Sequence, residues 1–276
     1  MHDTEIQGHA CHLPVLQSEL LVGRFRHGFT TRHGGVSQGP FDSLNLGGRW
    51  GDDPGAVAEN HRRLRDAGAG GAEVHFGWQV HGAEVAVVAA GQPAGVTGAT
   101  RADAVLTASP GVALGVLAAD CVPILIGNVV TGACAAVHSG WRGAVAGVLE
   151  AALRRLLDLP GARVSDLRVA IGPSIGPCCF EVGAEVIAEV EVAFGGAARL
   201  QGGIRARGQD HERDQKQEKD HVDLWRLGVL AAQNLGVAAA HIDVAERCTV
   251  CAGGRFFSYR RDRGRTGLQG ALIVAP

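Results

Sequence analysis

The sequence predicts an α+β protein built on mixed β-sheets. Short apolar runs rich in β-branched residues, typical of buried strands, follow one another between residues 104 and 137. Strand patterns outnumber helical ones and cluster in runs, which favours α+β over a doubly wound α/β architecture. Hydrophobic residues make up 46% of the chain and aromatic residues 5%, so we expect a core of Val, Leu, Ile and Ala.

The first part of the chain predicts a strand, a long loop and a helix. The strand is expected over 20–29, and the 30–54 stretch that follows is rich in Gly, Ser, Asn and Asp. A polar loop of about 25 residues is long for a globular domain, and such loops tend to be functional or disordered. Asp53 and Pro54 have the pattern of an N-cap and a first helical residue, with the helix ending at Gly68.

The middle of the chain predicts further strands and a second helix. Residues 77–90 predict a strand pair with His81 at its turn, and the Gly, Ala and Thr content of 91–102 predicts a loop. A helix is expected after Arg142, because apolar residues recur there at helical spacing. These residues are Val145, Val148, Leu149, Ala152, Leu153 and Leu156.

The C-terminal part predicts two more helices and several strands. One helix is expected over about 182–194, and Asp223 caps another that Gly236 ends. Residues 241–276 predict a strand, a cysteine-containing loop, a strand, a basic turn and a strand. The 201–222 segment is almost wholly polar and charged, which is typical of a solvated surface insert.

Charge and hydropathy indicate which partners to expect. The formal net charge is −2 and the sequence pI is about 6.6, so electrostatics give no reason to expect nucleic acid or an anionic membrane. No apolar run reaches the roughly 18 residues of a membrane span. The N-terminal residues lack the pattern of a signal peptide, so we expect a cytoplasmic protein.

His81, Cys121 and His138 form the strongest set of candidate ligands. Each lies at the end of an apolar strand, next to small residues that allow a ligand to approach the backbone. Two imidazoles and one thiolate are a known zinc set that leaves a fourth position open. The same residues suit a Cys121 nucleophile with His138 as base and Asp120 as orienting group, or a trigonal copper site. Copper is disfavoured because no methionine lies near a candidate ligand to act as axial ligand; the only methionine in the sequence is Met1.

The other cysteines do not predict a second metal site. The chain has seven cysteines, an odd number that argues against a disulfide framework. The Cys248-x-x-Cys251 spacing suits zinc or redox chemistry, but no second such pair exists, and the adjacent Cys178 and Cys179 are a poor chelating pair. Cys11 and Cys134 are expected to have no role in the site.

Four polar residues are further candidates for binding. Arg142 follows a strand and opens the predicted helix, where backbone N–H groups and a guanidinium suit an anion. Arg32, Ser43 and Asn45 lie in the long Gly-rich loop.

A series of ordered strings resembles one known family over nearly the whole chain, from about residue 20 to the end. The strings are HGFTTRHGGVSQGPFDSLNLG (27–47), GDDPGAVAENHRRL (51–64), QVHG (79–82), ADAVLT (102–107), ADCVPIL (119–125), AVHSGWRG (136–143), IGPSIGPCCFEVG (171–183), DLWRL (223–227) and FFSYRRD (256–262). Together they resemble the YfiH family of laccase-domain proteins, long labelled multicopper polyphenol oxidases.

The resemblance implies a layered α/β/β/α sandwich with mixed sheets and a single domain over 1–276. Residues 1–19 would be an N-terminal extension and 201–222 a charged surface insert. The resemblance also implies one zinc ion held by His81, Cys121 and His138.

The activity implied is that of a zinc-dependent purine nucleoside phosphorylase for adenosine, inosine, guanosine and methylthioadenosine, with adenosine deaminase activity. Its partners would be a purine nucleoside and phosphate. Arg32 and Arg142 would bind phosphate, and Ser43 and Asn45 the ribose hydroxyls. Asp120 would do acid/base work or orient a ligand. The alternatives are a copper-dependent polyphenol oxidoreductase and a Cys-nucleophile hydrolase. One departure from the family is Leu268, where its members often have Arg.

Overall fold

A computed structural model describes residues 1–8, 12–48, 51–205 and 220–276, with only the backbone of 95–99. Its strands are β1 (His2–Gln7), β2 (His12–Gln17), β3 (Arg26–Thr30), β4 (Val74–Trp78), β5 (Val85–Val87), β6 (Gly95–Arg101), β7 (Ala104–Thr107), β8 (Ala113–Ala118), β9 (Val122–Asn128), β10 (Cys134–Ser139), β11 (Leu167–Ile171), β12 (Ile204–Arg205), β13 (His221–Val222), β14 (Ile242–Val244) and β15 (Gln269–Val274). Its helices are α1 (Pro54–Arg63), α2 (Trp141–Val145), α3 (Val148–Leu157), α4 (Ala184–Phe194), α5 (Ala197–Leu200) and α6 (Leu224–Asn234).

Two mixed sheets form the centre of the protein, which confirms the predicted α+β class. The seven-stranded sheet has the order β1-β2-β3-β15-β8-β4-β6, and the six-stranded sheet has the order β14-β11-β9-β10-β7-β5. Strands β4 and β6, β4 and β8, β5 and β7, and β11 and β14 are parallel neighbours, and the other pairs in these two sheets are antiparallel.

The core lies in three apolar layers that separate four layers of structure. In β10, Ala136 packs with Phe29 of the opposite sheet, whereas its neighbour Val137 packs with Leu153 of α3. A third cluster lies on the outer face of the seven-stranded sheet and includes Leu64 and Leu272. Because side chains alternate along a strand, a strand buried on both faces is a continuous apolar run, as in β8 to β10. The order of layers is the α/β/β/α expected from the family resemblance.

The predicted helix starts are confirmed by their caps. Asp53 Oδ1 accepts the Ala56 N–H at 2.8 Å, and Asp223 Oδ1 accepts the Arg226 N–H at 3.0 Å. The single helix predicted after Arg142 is instead two, α2 and α3. Gly147 separates them with a φ of 79°, a left-handed conformation that glycine adopts without steric strain.

Two sequence predictions about strands and loops are wrong in part. The strand expected over 20–29 begins only at Arg26, after a turn in which Gly23 has a φ of 80°. The loop expected over 91–102 contains β6, which pairs with β4 at the edge of the sheet. An edge strand pairs on one side only, so its sequence need not be apolar.

The strand predicted around Phe257 is absent, because a side chain takes the place of a neighbouring strand. Gln269 accepts the Phe257 N–H at 2.7 Å and donates to the Phe257 carbonyl at 3.2 Å. Phe256 and Phe257 are fully buried. The apolar pair therefore belongs to a buried loop, whose backbone polar groups are satisfied without a ladder.

The two segments expected outside the main fold are partly built into sheets. Within 1–19, β1 and β2 extend the edge of the seven-stranded sheet. In the 201–222 segment, β12 and β13 pair as a short ribbon, while 206–219 lie outside the described residues, as does Cys11. No helix among the described residues has the length and apolarity needed to cross a membrane.

Candidate functional site

The structure brings His81, Cys121 and His138 together at the junction of the two sheets. His81 lies between β4 of one sheet and β5 of the other, Cys121 immediately precedes β9, and His138 lies in β10 opposite Pro123. The Cys121 Sγ is 3.7 Å from His81 Nε2, and one ligand atom of each residue lies within 4.8 Å of the others. Strands that are adjacent in space thus deliver three residues that are far apart in sequence.

Asp103 orients both histidines and was not among the residues predicted from the sequence. Its buried carboxylate accepts Nδ1–H of His138 at 2.8 Å and the backbone N–H of His81 at 2.9 Å. It also accepts the N–H groups of Val80 and Gly82, at 3.0 and 2.8 Å. With Nδ1 donating to Asp103, Nε2 of His138 is the nitrogen left for a metal, as in carboxylate–histidine–zinc arrangements. The sequence did contain a signal for Asp103, because its carboxylate directly precedes an apolar strand in ADAVLT (102–107).

These hydrogen bonds also keep Asp103 ionised. Burial alone would raise the pKa of the Asp103 carboxyl, but the hydrogen bonds from His138 and the backbone outweigh burial and lower the pKa below its usual value. The charge of Asp103 is therefore retained next to the imidazole of His138.

Cys121 and His138 form a polarised pair. Burial would raise the pKa of the Cys121 thiol, but the charge of His138 and the hydrogen bonds of both histidines outweigh burial and lower the pKa to about 6. Burial would lower the pKa of His138, but the charge of Cys121 and the hydrogen bond to Asp103 raise it to about 9. Without a metal, the pair therefore favours a thiolate beside a protonated imidazole; a metal ion bound here would take the place of the proton on His138 and supply the positive charge itself.

The backbone at the site has an unusual conformation. His81 has a φ of 62° and Asp120 a φ of 87°, in the left-handed region that residues other than glycine rarely adopt. Such conformations persist only where the surroundings hold them, here the hydrogen bonds to Asp103 and to the Asp120 carboxylate. His81 itself, and Cys121 directly after Asp120, are therefore held on tight turns.

The donor set and the space around it fit a metal ion. A Cβ at Gly140 would lie 2.9 Å from Cys121 Sγ and 3.0 Å from His81 Cδ2, so glycine is needed for the two ligands to keep their positions. Two imidazoles and a thiolate suit zinc with one open position, and also suit copper in a trigonal site.

The three residues open into a cavity of about 800 Å³. Four aromatic side chains line it, and Arg142 and Arg260 bring positive charge to it. Arg142 also stacks on Trp141, with its guanidinium carbon 4.2 Å from the ring centroid. The cavity is lined by Leu46, Gly47, Gly48, Phe76, Gly77, Trp78, Gln79, His81, Leu117, Ala118, Ala119, Asp120, Cys121, His138, Arg142, Ile175, Phe180, Tyr259, Arg260 and Leu268.

Arg32, Ser43 and Asn45 do not line this cavity. Asn45 is buried, and its amide bonds Gly47, Asp52 and the backbone of Leu268. Ser43 donates to the Arg32 carbonyl at 3.0 Å and accepts the Gly35 N–H at 3.1 Å. The guanidinium of Arg32 stacks on Phe257 at 4.5 Å. In this structure the three side chains shape the long loop, whose residues Leu46 to Gly48 reach the cavity.

Asp120 lies at the cavity wall with both carboxylate oxygens engaged. One oxygen accepts the Thr249 hydroxyl and the other the Arg260 N–H, each at 2.6 Å. Arg260 in turn donates to the carbonyls of Cys179 and Glu181, both at 3.1 Å. Asp120 therefore joins the strand end that carries Cys121 to the wall that carries Arg260.

The structure brings together four cysteines that the sequence did not indicate as a metal site, Cys178, Cys179, Cys248 and Cys251. One Sγ from each of the four lies within 4.8 Å of the others. The sequence concealed this arrangement, because the two halves of the cluster are about 70 residues apart and meet only through the fold.

Comparison with known proteins gives a consistent result. The sequence profile of the family described as multi-copper polyphenol oxidoreductase laccase matches residues 26–276. A purine nucleoside phosphorylase of Pseudomonas aeruginosa is 42% identical over 259 residues, which cover 91% of this chain and 93% of the relative. A purine nucleoside phosphorylase of Streptomyces coelicolor is 41% identical over 244 residues, which cover 88% of this chain and 93% of the relative.

A solved structure extends the likeness to the fold. The crystal structure of YlmD from Geobacillus stearothermophilus matches with a TM-score of 0.79 and 34% identity over 98% of both chains. Fold, profile and relatives agree with the ordered motifs in the sequence, and the chain belongs to the multi-copper polyphenol oxidoreductase laccase family, the family of YfiH and YlmD.

Proposed function

We propose that this protein is a purine nucleoside phosphorylase whose active site is the cavity at His81, Cys121 and His138. The observation that carries the proposal is the combination of this donor set with aromatic walls and two arginines in one cavity. Relatives named purine nucleoside phosphorylases, about 40% identical over most of the chain, support it.

The aromatic wall fits a purine base. Phe76, Trp78, Phe180 and Tyr259 all line the cavity. A planar base stacks on aromatic rings with about 1–3 kcal/mol per base, whichever purine is present. Stacking of this kind suits adenosine, inosine and guanosine, and the apolar Leu117 and Leu268 suit the methylthio group of methylthioadenosine.

The two arginines fit phosphate. In phosphorolysis a phosphate oxygen bonds to C1′ of the ribose while the bond from C1′ to the purine nitrogen breaks. The base departs with the electron pair and takes up a proton. Arg142 and Arg260 would hold the phosphate dianion by charge-assisted hydrogen bonds and bring it to C1′. Asp120 would act as a positioning residue, since its carboxylate fixes the backbone of Arg260.

His81, Cys121 and His138 would hold a zinc ion, with Asp103 fixing both histidines. An open zinc supplies Lewis-acid polarisation and can activate water, which is what an accompanying adenosine deaminase activity requires. The protein itself would contribute in two other ways: the cavity walls would exclude water from the nucleoside, and the two arginines would orient the phosphate.

The main test is phosphate-dependent release of free base. Zinc-loaded protein should convert inosine or adenosine and phosphate to free base and ribose 1-phosphate, and absence of base release would overturn the proposal. Arg142→Ala should raise the KM for phosphate by about 10-fold or more, because a hydrogen bond to a charged group contributes about 1.5–3 kcal/mol. Arg155→Ala, an exposed arginine of α3, should leave the KM unchanged.

The same assay separates the alternatives. Conversion of adenosine to inosine without phosphate would establish the deaminase activity. Copper-loaded protein that oxidises phenols, together with zinc-loaded protein that releases no base, would favour the oxidoreductase. A Cys-nucleophile hydrolase would release base without phosphate and would be inactivated by alkylation of Cys121 even with metal bound.

A further inference from the structure

A four-cysteine cluster lies on two turns outside the site described above. Cys178 and Cys179 follow the turn after β11, and Cys248 and Cys251 follow β14. The Cys251 Sγ is 3.5 Å from that of Cys178 and 3.3 Å from that of Cys179. The sulfurs of Cys178 and Cys179 thus both lie next to that of Cys251, and the three could bind one metal ion.

The fourth sulfur completes the set from a buried position. Cys248 is buried, Cys179 half-buried, and Cys178 and Cys251 exposed. All four sulfurs lie within 4.8 Å of one another. In a tetrahedral zinc site with Zn–S bonds of about 2.3 Å, sulfur atoms are roughly 3.8 Å apart. The observed spacing thus matches a tetrahedral site, whereas a disulfide would engage only two of the four.

The backbone around the cluster holds the two turns together. Ser174 and Cys248 form an isolated parallel bridge, in which Ser174 donates to the Arg247 carbonyl at 3.2 Å and Thr249 donates to the Ser174 carbonyl at 2.9 Å. The sulfurs are therefore placed by main-chain bonds and not by the side chains alone.

The backbone of Gly176 lies against the cluster. Its N–H donates to Cys248 Sγ at 3.3 Å, the kind of hydrogen bond that stabilises a metal thiolate. A Cβ at this position would lie 2.8 Å from Trp225 Cη2, 3.1 Å from Cys248 Cβ and 3.3 Å from Cys178 Sγ. The close approach of the backbone to two cysteines requires glycine here.

We propose that Cys178, Cys179, Cys248 and Cys251 bind a second zinc ion in a closed tetrathiolate site. Four protein ligands leave no position for water or substrate, which is typical of structural zinc. The ion joins the turn that contributes Ile175 and Phe180 to the cavity wall to the turn that carries Cys248 and Cys251. The Cys179 carbonyl accepts Arg260, and Thr249, next to Cys248, donates to Asp120. The proposal does not depend on phosphorolysis.

The test is metal content of the full chain, reconstituted with zinc under reducing conditions and freed of excess metal. Wild type should hold about two zinc ions, and Cys251→Ser about one. Cys134→Ala, which removes a buried thiol in β10 outside the cluster, should still hold about two. Cys121→Ser should lose the other ion and keep the one in the cluster.

A second measurement uses only the wild-type protein, in case Cys251→Ser fails to fold. Cobalt replacing zinc should show the strong sulfur-to-metal charge-transfer absorption of a tetrathiolate, which one thiolate at Cys121 cannot give. Titration of the thiols with a mercurial should release the second zinc as the cluster cysteines react. A single zinc per wild-type chain together with a cobalt spectrum of one thiolate would overturn the proposal. Loss of the second zinc to a chelator while the four cluster cysteines are reduced and unmodified would overturn it too.

Discussion

The two clusters of metal-ligating residues differ in what holds them and in what they face. His81 and Cys121 lie on tight turns beside strands and His138 lies in β10; the buried Asp103 fixes both histidines, and all three residues open into the cavity. The four cysteines lie on turns, and two of them are exposed. Three protein ligands leave a coordination position for chemistry, whereas four protein ligands fill the coordination sphere, which suits a structural site that holds loops in place. Donor number and support, more than donor type, therefore separate the two roles.

The largest effect on activity should come from removing a ligand of the first cluster, formed by His81, Cys121 and His138. Cys121→Ser should lower the kcat of base release by about 10³-fold or more, because a catalytic metal contributes several kcal/mol. Cys251→Ser should leave kcat within about 10-fold of wild type, since its site touches no substrate. Steady-state kinetics of both variants, each loaded with zinc, provide the measurement. Equal losses of kcat would show that the two clusters do not have separate roles.

The stability of the fold, in contrast to kcat, should depend more on the four-cysteine cluster than on His81, Cys121 and His138. At free zinc about 100 to 1,000 times the dissociation constant, a structural ion stabilises the fold by roughly 2.7–4.1 kcal/mol. Cys251→Ser should lose this contribution, so that added zinc no longer raises the temperature of unfolding through the second site. Calorimetry with and without zinc, with Cys134→Ala as control, measures the difference. A variant as stable as wild type in saturating zinc would contradict a structural role.

Asp103→Asn should weaken the first cluster alone. Loss of the partner that orients a metal ligand typically lowers metal affinity about 10- to 100-fold. Among the described residues, no hydrogen bond joins Asp103 to the four-cysteine cluster, so the zinc affinity of that cluster should not change. Competition with a zinc chelator resolves the two ions. Asp42→Asn, at an exposed carboxylate, is the control, and a loss confined to the second ion would refute the assigned role of Asp103.

The smallest effects should come from a matched pair of glycines. Gly140→Ala places a methyl group 2.9 Å from Cys121 Sγ, and Gly176→Ala places one 3.1 Å from Cys248 Cβ. Overpacking typically destabilises by about 1–3 kcal/mol, and we expect each variant to lower zinc affinity only at its own cluster. If either variant affected both ions equally, the clusters would be mechanically coupled.

Sequence reasoning located the parts of the protein that local chemistry determines. Strand patterns gave the α+β class, side-chain caps gave the starts of α1 and α6, and polar breaks at strand ends gave His81, Cys121 and His138. The missed features depend on contacts between distant segments. Gln269 satisfies Phe257 in place of a strand, Asp103 reaches His138 across neighbouring strands, and Cys178 meets Cys251 through the packing of two turns.

The most direct measurement is anomalous X-ray diffraction, recorded on both sides of the zinc absorption edge, from crystals of the zinc-loaded protein grown with a purine base. We expect two anomalous peaks, one between His81, Cys121 and His138 and one among the four cysteines. The base should lie in the cavity against the aromatic wall, beside the first peak. No zinc peak at His81, Cys121 and His138, or a base bound outside this cavity, would contradict the account.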